Sequence, residues 1–238
     1  MTDKLSESAP HGSSRLLGAI RTLGIRQTAR RAGRRVWSKS YSLGLRCELS
    51  AMPPRRPAKI DLRMLPNTSA DEAGLTDELA IAEGGTYVDV AQRIAMCEAG
   101  VGGLHVARSP EDEAVYCQWL IGPAEHVAID RFSPGLYPAL KDGEVLLEGA
   151  YTYTNFRGVG AMADGMHQLL EKARDRGEQA AFTYVAAEYP PSIRGCAKVG
   201  FVLDHISVRT RRFGIRKVRI RPADDAARAA WERANAPR

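Results

Sequence analysis

One segment of the chain, residues 146–201, limits the possible folds most, because in it a strand runs straight into a glycine-containing turn and a helix. The run LLEGAYTYT is typical of a strand, and the turn NFRGVGAM at 155–162 leads into a helical pattern that Gly177 ends. Small residues at such a junction let the backbone approach a ligand, and the free N–H groups of a helix start favour a phosphate. The same turn also fits a tight connection without a ligand.

The remainder of residues 58–220 mixes strand and helix patterns. Strands are predicted at 59–65, 103–108, 114–121, 145–153, 180–186 and from 201 onward, and helices at 68–83, 86–99, 158–176 and 192–199. The turn SPEDE at 109–113 joins two of the strands as a hairpin. This order predicts an α/β fold, an α+β sandwich with a mixed sheet.

Charge is distributed unevenly along the chain, whose net charge is +6. Residues 1–63 carry +10, residues 64–204 carry −11 and residues 205–238 carry +7. Basic ends around an acidic middle indicate docking of the ends on the middle, or contact with a polyanion such as nucleic acid or an anionic membrane. Solvated arginine-rich ends are the favoured interpretation, and nucleic acid or membrane contact by the basic N-terminal segment is the less favoured one.

The proline-rich run AMPPRRPAK at 51–59 indicates a domain boundary. Before it, residues 1–14 are predicted to be a disordered leader, and residues 15–57 to hold a basic amphipathic helix, a strand at 37–49 and the proline-rich linker. Residues 58–220 are predicted to be the main domain, and residues 221–238 a C-terminal tail.

Several classes of protein are excluded by features that the sequence lacks. Four scattered cysteines without a CxxC spacing argue against a disulfide scaffold, and indicate a reducing compartment and no structural metal. No apolar run reaches the about 18 residues of a membrane span, and no apolar region follows the N-terminal arginines as in a secretory signal. The sequence therefore predicts a cytoplasmic protein.

Residues 144–201 resemble the GNAT family, the acyl-CoA-dependent N-acetyltransferase superfamily, whose hallmark is Arg/Gln-x-x-Gly-x-Gly/Ala after the fourth strand. The match reads Arg157-x-x-Gly160-x-Met162, and a helix, a strand at 182–185, a short helix at 192–199 and the pair Gly200-Phe201 follow it. The upstream run IDLRMLPNTSADEAGL is similar to the family's first strand and helix. The resemblance spans residues 58–210 and implies a mixed, mostly antiparallel central sheet with helices on both faces.

Two positions depart from the family's pattern. Met162 stands where the turn usually ends in Gly or Ala, so a side chain crowds the predicted phosphate site. Tyr189 aligns with the Asn that usually caps the short helix. The cofactor site is therefore expected to be similar to that of the family, with local differences.

The resemblance implies transfer of an acetyl or other acyl group from an acyl-CoA, used as co-substrate without a metal, to an amine of unknown identity. The amine would attack directly within a ternary complex. The pantetheine arm would bind the backbone of Tyr151, Thr152 and Tyr153. The pyrophosphate would bind the N–H groups of Gly158, Val159, Gly160, Ala161 and Met162, with Arg157 adding charge beside it.

A general base and a general acid are also implied. Glu148 is the predicted base for the attacking ammonium, and Glu144 or a water chain are alternatives. Cys196 aligns with the tyrosine that protonates the leaving thiolate in many members of the family, although a buried packing role fits a free cysteine better. Tyr189 and Tyr184 are the alternative acids.

Two other functions stay open from the sequence. The first is a non-catalytic module that binds coenzyme A or another anion and attaches to a polyanion or membrane surface through its basic ends. The second is a transferase of related fold that takes its acyl group from an aminoacyl-tRNA. The acceptor cannot be read from the sequence, because variable loops and the first helices grip it in this fold.

Overall fold

A single eight-stranded sheet runs through the molecule in the order β2-β3-β4-β5-β6-β1-β7-β8. The structure, a computed structural model, describes residues 37–213 and 215–236. The strands are β1 (Trp37–Glu48), β2 (Arg63–Pro66), β3 (Leu104–Arg108), β4 (Ala114–Ile121), β5 (Glu144–Thr152), β6 (Ala180–Ala186), β7 (Val202–Arg212) and β8 (Ile215–Pro222). The helices are α1 (Ser69–Ile81), α2 (Gly84–Glu98), α3 (Pro123–Phe132), α4 (Ala161–Asp175), α5 (Pro190–Lys198) and α6 (Asp225–Asn235).

The sheet is mixed and mostly antiparallel, as the sequence predicts. Only the β5–β6 pair among the described strands is parallel. One face packs on residues of α4, α5 and α6, including Leu169, Ile193 and Ala234, and the other packs on residues of α1, α2 and α3, including Leu75 and Ile129. Helices therefore cover both faces, which confirms the predicted architecture.

Strand β1 lies in the middle of the sheet, between β6 and β7. It pairs with β6 over residues 42–48 and with β7 over residues 37–46. The sequence prediction places this strand in a unit before a linker, so the structure differs from it. The reason is that both partners of β1 lie more than 130 residues away along the chain, at positions such as Val185 and Ile206 opposite Leu43.

The proline-rich segment is held against α4. The buried Asp164 carboxylate accepts hydrogen bonds from the Ala58 N–H, at 2.9 Å, and from Arg55 Nε, at 2.6 Å. The Lys59 N–H donates to the Val159 carbonyl at 2.8 Å. This segment therefore fixes the turn before α4 in place, instead of separating two units.

Two helices lie where the sequence analysis expects none. Helix α3 begins with Pro123 after Gly122, and Pro is well suited to a first helical turn. Helix α6 occupies most of the predicted tail, and its N-cap Asp224 accepts a hydrogen bond from the Ala227 N–H at 2.9 Å. Its sequence is rich in alanine, which favours a helix, although the sequence analysis assigns this region to a tail. The predicted leader at 1–14 and the predicted helix at 15–36 lie outside the described residues.

Among the described residues, no helix combines the length and the apolar character that crossing a bilayer requires.

Helix α4 approaches the sheet closely at Gly165. A Cβ at this position would lie 2.6 Å from Cδ1 of the buried Tyr116 ring and 2.9 Å from Cε of Met64. The absence of a side chain at Gly165 thus sets the distance between the start of α4 and β4.

We expect Gly165→Ala to lower the free energy of unfolding by about 1–3 kcal/mol, because overpacking outweighs the gain in helix propensity. The matched control is Gly74→Ala in α1, where an added Cβ would meet no atom within 4 Å. We expect that control to raise the free energy of unfolding by about 0.5–1 kcal/mol. Urea unfolding measures both variants, and a stabilised Gly165→Ala protein would contradict the close packing of α4.

Candidate active site

The sheet opens between β5 and β6. Their parallel pairing runs from Glu144 opposite Ala180 to Leu147 opposite Thr183, and stops there. Next comes a bulge in β5, where the register against β4 shifts and Gly149 takes a φ of +66°. A Cβ at Gly149 would lie 2.7 Å from Cε3 of Trp119, so the bulge requires glycine on both conformational and steric grounds.

A cleft of about 530 Å³ extends from this opening along the end of β5, the turn before α4, and α5. Gly158 and Gly160 line it with φ of +81° and +90°, a left-handed conformation that suits glycine. In the described chain, no acceptor takes the N–H groups of residues 158–162. This free row of donors at the start of a 15-residue helix fits a phosphate group.

Basic side chains surround the cleft. Arg157, Arg194, Lys198 and Arg93 contribute four cations to its lining, and Asp89 contributes the one carboxylate of that lining. Arg157 is exposed, and its Cζ atom lies 5.9 Å from the centroid of the Tyr151 ring. The cleft is thus positive although residues 64–204 carry a net negative charge.

Met162 lines the cleft beside the predicted phosphate site. Its side chain packs on α5, where a Cβ at Gly195 would lie 3.0 Å from the Met162 sulfur. The departure from the family's Gly or Ala at this position is therefore matched by a glycine on the facing helix.

A second cavity of about 240 Å³ adjoins the cleft and shares five lining residues with it, Asp89, Arg93, Ala150, Met162 and Ser192. Glu148 lines this second cavity at the point where β5 leaves β6. Burial raises the pKa of the Glu148 carboxyl, and hydrogen bonds from the Gly149 N–H and the Tyr137 hydroxyl act in the opposite direction. A carboxyl with a raised pKa inside a cavity suits general acid–base chemistry.

The other predicted acids differ in what surrounds them. Cys196 is fully buried on α5, and burial raises the pKa of its thiol to about 12. Tyr184 donates or accepts a hydrogen bond with His205 Nε2 at 3.1 Å. Tyr189, at the start of α5, is 56% exposed and lines the second cavity. No acceptor within the described residues binds the Tyr189 hydroxyl, which leaves it free to act on a ligand.

Glu144, the alternative base, lies at the other end of β5. Its Oε2 accepts a hydrogen bond from the Lys141 N–H at 3.0 Å, and Arg46 lies 3.9 Å from its second oxygen. The structure therefore brings Glu148, Cys196 and Tyr189 together around one cavity and leaves Glu144 outside it.

The three predicted pantetheine positions are not equivalent. Tyr151 and Thr152 line the large cleft. The Tyr153 N–H, in contrast, donates to the Val115 carbonyl at 3.0 Å, and the Tyr153 carbonyl accepts from Phe156 N at 3.0 Å. Tyr153 therefore has no free N–H to offer a ligand.

Two residues at the junction between the turn and α4 have their side chains turned inward. Val159 packs against the core and Ala161 is buried, so these residues can contribute only their N–H groups to the cleft.

Arg93 was missed by the sequence analysis, although it holds the opening of the sheet together. From α2, its Nε donates to the Gly149 carbonyl at 2.9 Å and its Nη2 to the Ala150 carbonyl at 2.5 Å. These are bulge carbonyls that no longer face a neighbouring strand. No local sequence signal identifies this arginine, because its partners are more than 50 residues away.

Glu78 of α1 was missed for the same reason. It is buried, and its Oε1 accepts hydrogen bonds from the Tyr151 hydroxyl at 2.7 Å and from the Thr154 hydroxyl at 2.6 Å. It therefore ties α1 to the end of β5. Over the described residues, no group of three or more His, Cys, Asp or Glu side chains is placed to hold a metal ion.

Comparisons with known proteins identify the fold. No protein-family model and no curated protein matches the chain by sequence. Among solved structures, a GCN5-related glucosamine N-acetyltransferase region of a fungal multi-domain GH3 β-N-acetylglucosaminidase is similar, with a TM-score of 0.50 and 11% identity, over 76% of this chain and 22% of that one.

Two bacterial structures give lower scores. A GNAT-family acetyltransferase from Colwellia psychrerythraea has a TM-score of 0.47 and 11% identity, over 84% of this chain and 62% of that one. A GCN5-related N-acetyltransferase from Kribbella flavida has a TM-score of 0.46 and 13% identity, over 84% and 65%. The chain thus spans less than two thirds of each of these three neighbours.

The chain has the fold of the GNAT family, as its sequence motifs imply. At identities of 11–13%, the likeness concerns the fold and carries no substrate with it.

We expect Tyr137→Phe to raise the pKa of Glu148 further. The hydrogen bond from the Tyr137 hydroxyl stabilises the ionised carboxylate, and the variant lacks that hydroxyl. A ¹³C NMR titration of labelled glutamate carboxyls measures this pKa. Tyr41→Phe is the control, since Tyr41 is 42% exposed on β1 and touches neither cavity. A pKa of Glu148 that is lower in Tyr137→Phe would contradict the contact between the two side chains.

Proposed function

We propose that the protein is an N-acyltransferase that moves an acetyl or other acyl group from acyl-CoA to an amine. The observation that carries this proposal is the opening between β5 and β6, which joins a positive cleft with free N–H donors to a cavity containing Glu148. Neither feature alone specifies a reaction. Together they support a reaction in which the turn before α4 binds an anion and Glu148, in the adjoining cavity, acts as a base.

The large cleft fits the chemistry of coenzyme A. The N–H groups of residues 158–162 and the dipole of α4 suit a pyrophosphate, and Arg157, Arg194 and Lys198 supply compensating charge. The edge of β5 beyond Leu147, no longer paired with β6, offers backbone groups of Ala150 to Thr152 to the pantetheine arm. The acyl-CoA supplies the activated thioester.

The second cavity would hold the acceptor amine. Glu148 takes a proton from the ammonium, directly or through water, and the neutral amine then attacks the thioester carbonyl carbon. The new C–N bond forms as the C–S bond breaks, and the thiolate leaves. Tyr189 is the proposed proton donor to it, because this residue lines the cavity, whereas burial raises the pKa of the Cys196 thiol to about 12. The second proton lost by the acceptor nitrogen then restores the Tyr189 hydroxyl.

A non-catalytic coenzyme A-binding module is the less favoured function. It would need the cleft alone, and it gives no role to a half-buried carboxyl that lies in the adjoining cavity. The predicted contacts of the N-terminal basic segment with nucleic acid or membrane concern residues outside the described part of the chain, and they stay predictions.

We expect acetyl-CoA and free coenzyme A to bind the wild-type protein saturably and Gly160→Asp to abolish binding, because it puts a carboxylate among the phosphate donors. Isothermal titration calorimetry measures this. Gly177→Asp is a matched control, since Gly177 has the same φ of +90° at the opposite end of α4 and meets no atom within 4 Å. Equal loss of binding in both variants, or no binding by the wild type, would refute the cofactor site.

We expect Glu148→Gln to lower kcat by about 10²–10⁴-fold while acetyl-CoA binding is retained, because the amide cannot accept the proton. A thiol-release assay with a panel of amines measures kcat once an acceptor is found. In the wild type, the rate should rise with pH as Glu148 ionises, at a pH above the ordinary pKa of a glutamate. Glu144→Gln should keep near wild-type activity, and a loss equal to that of Glu148→Gln would contradict the assignment.

A further inference from the structure

A third pocket lies where β1 and β8 begin and β7 ends, and it is basic. It encloses about 230 Å³ between these strands and the loop that follows α3. Arg209 and Arg211 contribute two cations from β7, and Lys217 and the hydroxyl residues Ser38, Ser40, Ser133 and Thr210 also line it. No carboxylate lines this pocket, and it shares no residue with the two cavities of the active site.

The charges in the pocket lack counter-ions on the described chain. None of Arg209, Arg211 and Lys217 is within ion-pair distance of a carboxylate among residues 37–213 and 215–236. Arg209 Nη2 donates to Ser42 Oγ at 3.3 Å, and the buried Arg211 Nε has no acceptor in this part of the chain. A buried guanidinium N–H without an acceptor is costly, and an oxyanion would satisfy it.

The pocket lies on the same face of the sheet as Glu148. Tyr184, Gly44 and His205 lie side by side on β6, β1 and β7, and Arg209 and Arg211, four and six residues after His205, lie on the same face of β7. Arg209 lies close enough to Glu148 to lower its pKa, against the larger effect of burial. In the covering loop, Leu136 lines the pocket and the next residue, Tyr137, faces Glu148.

We propose that this pocket binds an oxyanion, a phosphate or a carboxylate, carried by the acceptor whose amine is acylated beside Glu148. The proposal rests on the acyltransferase function, because it assigns the pocket to that reaction's second substrate. Strands β5 and β7 are separated by three strand spacings, roughly 14 Å, and the two arginines lie further along β7 than His205. The acceptor is therefore an extended amine, at least as long as a peptide of about four residues, with its negative group remote from the reacting nitrogen.

The first test uses inorganic phosphate as the probe and does not depend on acyl transfer. Calorimetric titration of the full chain should show saturable binding that weakens about tenfold in Arg211→Gln, as expected for the loss of one charged hydrogen bond. Arg219→Gln is the matched control, because Arg219 lies on β8 opposite Val208, on the other sheet face, and carries the same charge. No saturable binding, or equal weakening in both variants, would overturn the pocket.

The second test separates the source of the oxyanion. Five-residue peptides with a free amino terminus are compared as acceptors, with phosphoserine, aspartate or serine as the fourth residue. The wild type should acylate the two acidic peptides with a higher kcat/KM than the serine peptide, mainly through KM, and Arg211→Gln should lose that preference while Arg219→Gln retains it. A stronger effect of phosphoserine assigns the pocket to phosphate, and equal effects assign it to any oxyanion.

Failure of the pocket and failure of the acyltransferase proposal give different results. Acylation of all three peptides with equal kcat/KM would overturn the acceptor role of the pocket, even if phosphate binds there. Phosphate binding that Arg211→Gln weakens, in a protein that does not bind acetyl-CoA, would instead refute the acyltransferase function and with it the assignment of the pocket to an acceptor.

Discussion

The parallel pairing of β5 and β6 ends at Leu147 and Thr183, and both cavities of the candidate active site lie where no strand continues that pairing. An interrupted sheet exposes backbone carbonyls that must find other donors. Arg93 supplies them, with hydrogen bonds to the carbonyls of Gly149 and Ala150. The opening is thus stabilised by a side chain from α2, and it does not depend on a ligand to satisfy the freed carbonyls.

The approach of α4 to the sheet is the second constraint on the site. Gly165 lets the helix pack directly on Tyr116, and Asp164 binds the segment that carries Ala58 against the turn before the helix. These contacts fix the first turn of α4, so its N–H groups face the cleft. Met162 is accommodated by Gly195 on the facing helix. The candidate phosphate site is therefore shaped mainly by small residues, and the positive charge around it comes from side chains on neighbouring elements.

The distribution of charge in space differs from its distribution along the chain. The acidic middle segment supplies the site, yet several of its carboxylates are engaged elsewhere. Asp71 pairs with Arg108, Asp164 with Arg55, and Glu78 accepts hydrogen bonds at the end of β5. Cations remain around the cleft, and a second group of cations lines the pocket on β7 and β8. Burial and pairing of the carboxylates thus decide the charge that a ligand meets.

The sequence by itself determined the local elements of the site: the strand, turn and helix of residues 144–175, the short helix of 190–198, and the capping box in which Thr68 and Asp71 begin α1. These depend on hydrogen bonds and conformational preferences between near neighbours, which the sequence contains directly. The central place of β1, the contacts of Arg93, and the meeting of Tyr137 and Arg209 around Glu148 were decided only by the tertiary structure. They join residues far apart in the chain, and many alternative pairings satisfy the same local pattern until the whole sheet is packed.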